Sequence, residues 1–359
     1  MGCLSMRTSL KDIAEYTGLS KTAVSLHLNK HQLAGRLSAA TRAKIDEAVK
    51  KFDYVPSYTA RALSSGKTRT IGFVVADLTL PYSSMMAATL IDESSKHDVQ
   101  LLISATKYSP EKEIKCLEDL RNRHADGIIY SLAMDTEVCD KLARAHYPMV
   151  RVFDRDDRFH SIENDFTGAV QKSVEYFRGI GAEEITLIAY SDVIRYDAQE
   201  MCSSFINACE GAGCKSSIEP VNSLDAASIN SCLERISRNP PDFLIVQGPL
   251  CMTVLAHRLR IYQNKLPRII NIIDSWEPPP LRDEMLVGVI MCYPDKIVKT
   301  AVETLLRLIN KPDDGSIPRL VMEPAEFLLS WTGDSCEKNA IDEVKRLMGY
   351  NSAHNWTKA

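Results

Sequence analysis

The chain has 359 residues, with 43 Lys+Arg against 47 Asp+Glu, a formal net charge of -4 and 45% hydrophobic residues. That length allows two or three domains, and the composition is that of a globular protein, which excludes collagenous, coiled-coil and wholly disordered chains. No stretch reaches the roughly 18 uncharged apolar residues of a membrane helix, and Met1–Arg7 lacks the basic-then-apolar pattern of a secretory signal, so a cytoplasmic location and no membrane partner are expected.

The charge is unevenly spread. Residues 1–70 carry 12 Lys+Arg against 5 Asp+Glu, whereas the rest carries 31 against 42. A basic head on an acidic body points to a polyanion as partner of the head alone. The ten cysteines are scattered, without a C-x-x-C pair or a neighbouring His pair at ligand spacing, so reduced, mostly buried thiols are expected and no metal or other cofactor.

Residues 10–29 read as two short helices. Ile13 and Ala14 give the first an apolar face, Gly18 ends it where a left-handed backbone is needed, and Ser20 is a good N-cap for the second, whose buried stripe is Val24 and Leu28. Small Ala14, turn Gly18 and β-branched Val24 let the helices cross closely, as a helix-turn-helix requires. A third helix is expected from Ser38 to Phe52, with Ile45, Val49 and Phe52 closing the core. The exposed face of the second helix carries Lys21, Thr22, Ser25 and His27, groups able to meet base edges or phosphates of double-stranded DNA.

Pro56 suits a helix start and Gly66 a helix end, but a helix of about two turns is marginal alone in water and needs a partner to order it. By itself this stretch reads equally as a plain linker.

At this point the sequence resembles the LacI/GalR family of bacterial transcription regulators, from Ser9 to about Asp334. The most specific stretches are Leu10-Lys11-Asp12-Ile13-Ala14, Val24-Ser25 with Leu28-Asn29, Ser38 with Thr41-Arg42, and Ala60-Arg61-Ala62-Leu63 with Gly66. The long spacing between Asn29 and Ser38 is similar to the fructose and sucrose repressor branch. The resemblance implies that the helix from Lys21 to Asn29 enters the major groove, with Lys21, Thr22 and Ser25 nearest the bases. It places Tyr58, Arg61 and Leu63 of the hinge at the minor groove, Leu63 as a wedge between base steps. Leu26 stands where many members carry Arg, and can contact a thymine methyl group.

From Thr70 the pattern changes to alternating apolar runs and amphipathic segments. Strands are expected at Ile71–Ala76, Val99–Ala105, Ala125–Tyr130 and Pro148–Phe153, and helices at Ser83–His97, Pro110–Arg123 and Glu137–His146. The pattern then repeats, with helices at 167–180, 197–213, 225–238 and 250–263 and strands near 184–190, 216–221, 242–247 and 268–273. A helix at 295–310 and a strand at 317–323 follow. Strand–helix repetition implies parallel, doubly wound sheets with ligands at the strand carboxyl ends. In the resembling family the chain recrosses between two such lobes, as in periplasmic sugar-binding proteins. The expected fold is thus a small all-α helix-turn-helix head plus an α/β two-lobed periplasmic-binding-protein-like body. Its divisions are a DNA-binding domain at 1–56, a hinge at 57–69, an effector-binding and dimerisation domain at 70–336 and a tail at 337–359.

The resemblance also implies a small effector, a sugar or sugar phosphate, between the lobes. Its cleft acids correspond to Asp154 and Asp274, its cleft amide to Gln247, and Tyr82 lies in a matching loop. Trp276 offers either a stacking face or a packed ring. Two positions depart from the family: Met201 stands where relatives carry Arg, and Cys292 replaces a frequent Gln. A phosphorylated sugar would need cations, for which Lys107, Arg155 and Arg195 are the candidates. Ile341, Val344 and Met348 share one helical face of the tail, which suits a docked terminal helix or an oligomerisation segment.

No nucleotide-binding glycine motif, nucleophile elbow or zinc-protease motif occurs, and acid pairs such as Asp156-Asp157 read as loop charges, so no catalytic residue and no enzyme is expected. The expected protein is a sequence-specific repressor of carbohydrate-related genes, acting as a homodimer or tetramer on a near-palindromic operator. The alternative is a solute-binding or transport protein, which the body alone would suit.

Overall fold

The structure is a computed structural model that describes residues 8–28, 32–54, 66–131, 137–153, 155–191, 196–222, 225–262, 266–273, 285–311 and 315–329. The chain divides into two compact units, Met1–Arg69 and Thr70–Ala359.

In the first unit, α1 (Leu10–Thr17) starts with a capping box: Ser9 Oγ accepts the Asp12 N–H, and the Asp12 carboxylate accepts the Ser9 N–H. Gly18 ends it at φ 68°, and the turn leads into α2 (Lys21–Leu28), where Ser20 Oγ accepts the Ala23 N–H at 3.1 Å. A 3-10 turn, Gln32–Arg36, occupies part of the long gap before α3 (Ala39–Lys51). Ser38 and Phe52, expected inside that helix, are its caps. Ile13, Ala14, Val24, Ile45, Ala48 and Tyr54 form the buried core, with Leu28, Val49 and Phe52 packed at its margin. The expected hinge helix lies outside the described residues.

The second unit contains two lobes, each built on a six-stranded sheet. In lobe 1, β1 (Thr70–Val75), β2 (Gln100–Ala105), β3 (Gly127–Ser131), β4 (Met149–Val152) and β5 (His160–Asp165) alternate with α4 (Pro81–Lys96), α5 (Pro110–Asn122) and α6 (Glu137–Arg144). The chain then builds most of lobe 2 from α7 (Thr167–Gly179), β6 (Glu184–Tyr190), α8 (Tyr196–Ala212), β7 (Lys215–Val221), α9 (Ala226–Arg238) and β8 (Phe243–Gln247). It continues through α10 (Pro249–Tyr262), β9 (Arg268–Ile273) and β10 (Leu286–Met291). Finally α11 (Pro294–Asn310) and β11 (Leu320–Pro324) return to lobe 1, and β12 (Glu326–Leu329) goes back to lobe 2.

The strand orders are β11-β5-β4-β3-β1-β2 and β12-β10-β9-β8-β6-β7. Pairing is parallel throughout except for the edge pair β10 and β12, which is antiparallel and departs from the all-parallel expectation. Both faces of each sheet are covered, which is why central strands read as continuous apolar runs. Ile71, Phe73 and Val75 face α4 and α11, whereas Val74, Ile128 and Tyr130 face α5 and α6. In lobe 2, Leu187, Ala189, Ile245 and Ile270 face α7 and α8, and Ile188, Leu244 and Val246 face α9 and α10.

Candidate nucleic-acid interface and effector cleft

On the head, α2 exposes Lys21 and Thr22 in its first turn, while Ser25, Leu26 and His27 are partly covered. The first turn of a helix, at the positive end of its dipole, favours anions, and Lys21 and Thr22 lie in that turn. His27, expected to face DNA, turns the other way: its Nε2 lies 2.7 Å from Asp46 Oδ1 on α3, and its side chain is 17% exposed. It ties the second helix to the third. Lys51 donates to Tyr16 Oη at 3.0 Å and sits 4.5 Å from the centre of its ring, joining α1 to the end of α3. Asn29, Tyr58, Arg61 and Leu63 lie outside the described residues.

In the body, the chain leaves the carboxyl end of β1 at Ala76-Asp77 and that of β2 at Thr106-Lys107. Lys107 Nζ donates to Asp77 Oδ1 at 2.6 Å, and the same oxygen accepts the N–H and Oγ1–H of Thr79, each at 2.8 Å. These bonds, that from Lys107 foremost, hold the Asp77 carboxyl down at a pKa of about 2. Tyr82 packs edge-on against Phe153, ring centres 4.9 Å apart, and joins the lobe 1 core. Phe153, the residue after β4, has φ 61°, an uncommon backbone for a bulky residue, immediately before the position expected to carry a cleft acid. Asp154, Asp274 and Trp276 lie outside the described residues.

The parallel pair β4 and β5 is joined by the short segment 153–159, in which the described residues form no helix. The segment therefore runs back along the sheet and brings Arg155 beside β5. Arg155 Nε and Nη2 donate to the two oxygens of Glu163 at 3.3 and 3.2 Å, and Nη2 lies 3.4 Å from Glu200 Oε2 on α8. Glu163 belongs to lobe 1 and is fully buried; Glu200 belongs to lobe 2. This inter-lobe cluster is invisible in the sequence, where its members stand 8 and 45 positions apart.

Gln247, at the carboxyl end of β8, is buried, and its Oε1 accepts the Tyr190 N–H at 2.7 Å. Its amide braces β6 against β8. Met201 and Cys292 are packed in the lobe 2 core with Phe205 and Cys209, at 0% and 3% exposure, so in this arrangement neither presents a surface to a ligand. A long apolar side chain at 201 is drawn into the core where an arginine would be expelled from it. Among the buried polar residues that the sequence reading does not single out are Asn271, whose Nδ2 donates to Val246 O at 2.8 Å, and Glu163 itself.

A cavity of about 1030 Å³ opens at the other end of sheet 1, where α6 and α11 terminate, lined among others by Arg144, His146, Arg158, Lys311 and Arg319. Cations there suit the carbonyl ends of the helices. The described cysteines are thiols rather than disulfides, and among the described residues no His, Cys, Asp and Glu cluster is placed for a metal. No helix among them is long and apolar enough to cross a membrane.

Comparison with known proteins matches residues 9–57 to "Bacterial regulatory proteins, lacI family" and residues 68–248 to "Periplasmic binding proteins and sugar binding domain of LacI family". Catabolite control protein A of Staphylococcus epidermidis is 28% identical over 186 residues, which span 51% of this chain and 56% of that protein. The Lac repressor dimer bound to operator and the anti-inducer ONPF superposes with a TM-score of 0.73 at 18% identity, over 90% of this chain and 98% of the other. The transcriptional regulator CelR in complex with cellobiose gives a TM-score of 0.60 at 18% identity, over 90% and 99%.

Proposed function

The chain belongs to the LacI family, and from that premise we propose that it is a cytoplasmic, sequence-specific DNA-binding regulator, a repressor of carbohydrate-related genes. The observation that carries this reading is the head: three capped helices around a core of Ile13, Ala14, Val24 and Ile45, with the first turn of α2 offering Lys21 and Thr22 to solvent. Lys21, Thr22, Ser25 and Leu26 are the residues that read DNA, and Leu63 is the minor-groove wedge. His27 is reassigned to holding α2 against α3. The relatives' DNA-bound dimer supports a homodimer on a near-palindromic operator. The spacing between Asn29 and Ser38, part-filled by Gln32–Arg36, supports placing the head in the fructose and sucrose repressor branch.

The effector site lies at the strand carboxyl ends between the lobes, with Asp154 and Asp274 receiving hydroxyl groups and Gln247 bracing the floor. An effector that binds one lobe arrangement better than the other shifts DNA affinity by that difference. No catalysis is assigned. The test is selection of bound duplexes from a random pool by the full chain at near-physiological salt. The expected result is a palindrome with a central pyrimidine–purine step, where a wedge kinks DNA most easily. Uniform recovery, with no sequence preference over the starting pool with or without cellobiose, sinks the specific-regulator reading.

A further inference from the structure

In lobe 2, α8 ends and β7 begins within the run Cys209-Glu210-Gly211-Ala212-Gly213-Cys214-Lys215. Gly213 takes the left-handed backbone at φ 67°, and two reversed hydrogen bonds close the helix. The Gly213 N–H donates to Glu210 O at 3.1 Å, and the Cys214 N–H to Cys209 O at 3.0 Å. This is a Schellman cap, in which the residue after the left-handed glycine commonly packs against the side chain five positions earlier. Elsewhere that contact is apolar; here both positions carry thiols.

Cys209 is fully buried in the lobe 2 core, and Cys214 packs against the same cluster while staying partly exposed between exposed Gly213 and Lys215. Cys214 Sγ donates to Cys209 O at 3.6 Å. Burial, and then the neighbouring Cys214, push the Cys209 thiol up to about 12, so by itself it is protonated and unreactive. The backbone bond between the same two residues holds their Cα atoms within the roughly 6.8 Å that a disulfide spans.

We infer that Cys209 and Cys214 form an oxidative modification site, a dithiol that closes to a disulfide when a peroxide reaches Cys214. The Cys214 thiolate attacks one peroxide oxygen, the O–O bond breaks, and the departing hydroxide takes up the thiol's proton as water. Cys214 is then a sulfenic acid. The Cys209 sulfur attacks the Cys214 sulfur and gives its proton to the leaving hydroxyl, which departs as a second water. Two thiols together lose two electrons to one peroxide, and one S–S bond replaces two S–H bonds. Small thiols reopen the bridge by exchange, whereas a solitary Cys214 goes on to sulfinic acid, which they cannot reverse. The bridge stays within one helix cap, so it protects a core thiol without involving the residues assigned to DNA.

Peptide mapping of the full chain tests this, after reduction, treatment with hydrogen peroxide and alkylation. Cleavage after Lys, Arg and Glu separates 201–210, which holds Cys202 and Cys209, from 211–215, which holds Cys214. The expected product is the two peptides joined through Cys209 and Cys214, separated again by dithiothreitol, with Cys202 alkylated. In Cys214→Ser, Cys209 is expected to stay alkylated at the same peroxide dose. In Cys209→Ala, dimedone trapping of sulfenic acid at Cys214 is expected to rise by about tenfold or more, because the resolving thiol is gone. Thermal melting checks both folds, and Cys214→Ser, at the more exposed position, keeps the test decisive should the buried substitution unfold. Sulfinic acid at Cys214 beside an intact Cys209 thiol overturns the inference, as does a bridge from Cys202 or a Cys214 that peroxide leaves untouched.

Discussion

Gly18 sits at φ 68° between two helices with open space around it: nothing lies within 4 Å of where a Cβ would be. The cost of Gly18→Ala is therefore purely that of a left-handed backbone, about 1–2 kcal/mol. Hydrogen exchange of the α1 and α2 amides is expected to speed up accordingly, and unchanged protection would show that the turn relaxes freely. Asp77 gives a second prediction. Its folded pKa is lowered, so its contribution to stability is present above the ordinary aspartate range and is lost as pH falls towards about 2. Carbon-detected NMR titration should place its midpoint near that value, and Lys107→Met should move it upward, because the lysine is the largest cause. A midpoint indifferent to Lys107 would contradict the ion pair. His27 shows where reading a helix face runs out. Its polarity groups it with Lys21 and Thr22, yet whether an imidazole points outward is decided by Asp46, nineteen positions away on another helix.

At the scale of elements, periodicity located the helices and most strands to within a few residues, because two-sided burial leaves apolar runs that composition alone reveals. The exceptions have a physical pattern. β5 reads His160-Ser161-Ile162-Glu163-Asn164-Asp165, with one apolar residue, and is nevertheless buried through Asn164. It is held by partners that no local window contains: Pro318 O on the His160 ring and Arg155 on Glu163. β10 and β12 were also missed, and β12 is a short edge strand. Legibility of the site was lower still, since Arg155 and Glu163 meet across eight positions and Glu200 joins them from a helix 45 positions away from Arg155. One junction lends itself to a direct test. Gly248, at φ 82° between β8 and α10, lies so close to Tyr190 that an added Cβ would overlap its ring and hydroxyl. Gly248→Ala should destabilise lobe 2 by about 2 kcal/mol or more through strain and displaced packing. Adding Tyr190→Phe should recover part of that loss; in denaturant unfolding monitored through lobe 2, no recovery would place the whole cost in the backbone.

At the scale of the molecule, basic residues are in excess in the first 70 positions and acidic ones in the rest, and the body is built on two sheets. The lobes are not equal in chain order. Lobe 1 depends on α11, whose Ile297, Val298, Ala301, Val302 and Leu305 complete one face of its core, and on β11 as the edge strand beside β5. At about 1.5–3 kcal/mol for each of the four larger side chains, their removal would cost a large part of a typical domain's stability of about 5–15 kcal/mol. A chain ending at Cys292 should therefore lose hydrogen-exchange protection in β1 and β3 while β6 and β8, deprived only of β12, keep theirs. Equal loss in both lobes would mean that they fold as one cooperative body.

The same arrangement sets a timetable for synthesis. The first five strands of lobe 1 leave the ribosome early, then wait for Pro294 to begin the helix that covers them, an interval of about 6–25 s at roughly 5–20 residues per second. Lobe 2, apart from its edge strand β12, emerges as one unbroken run in that interval. The nascent half-covered sheet, with β5 as an open edge, is where a ribosome-associated chaperone would find its longest-lived client surface.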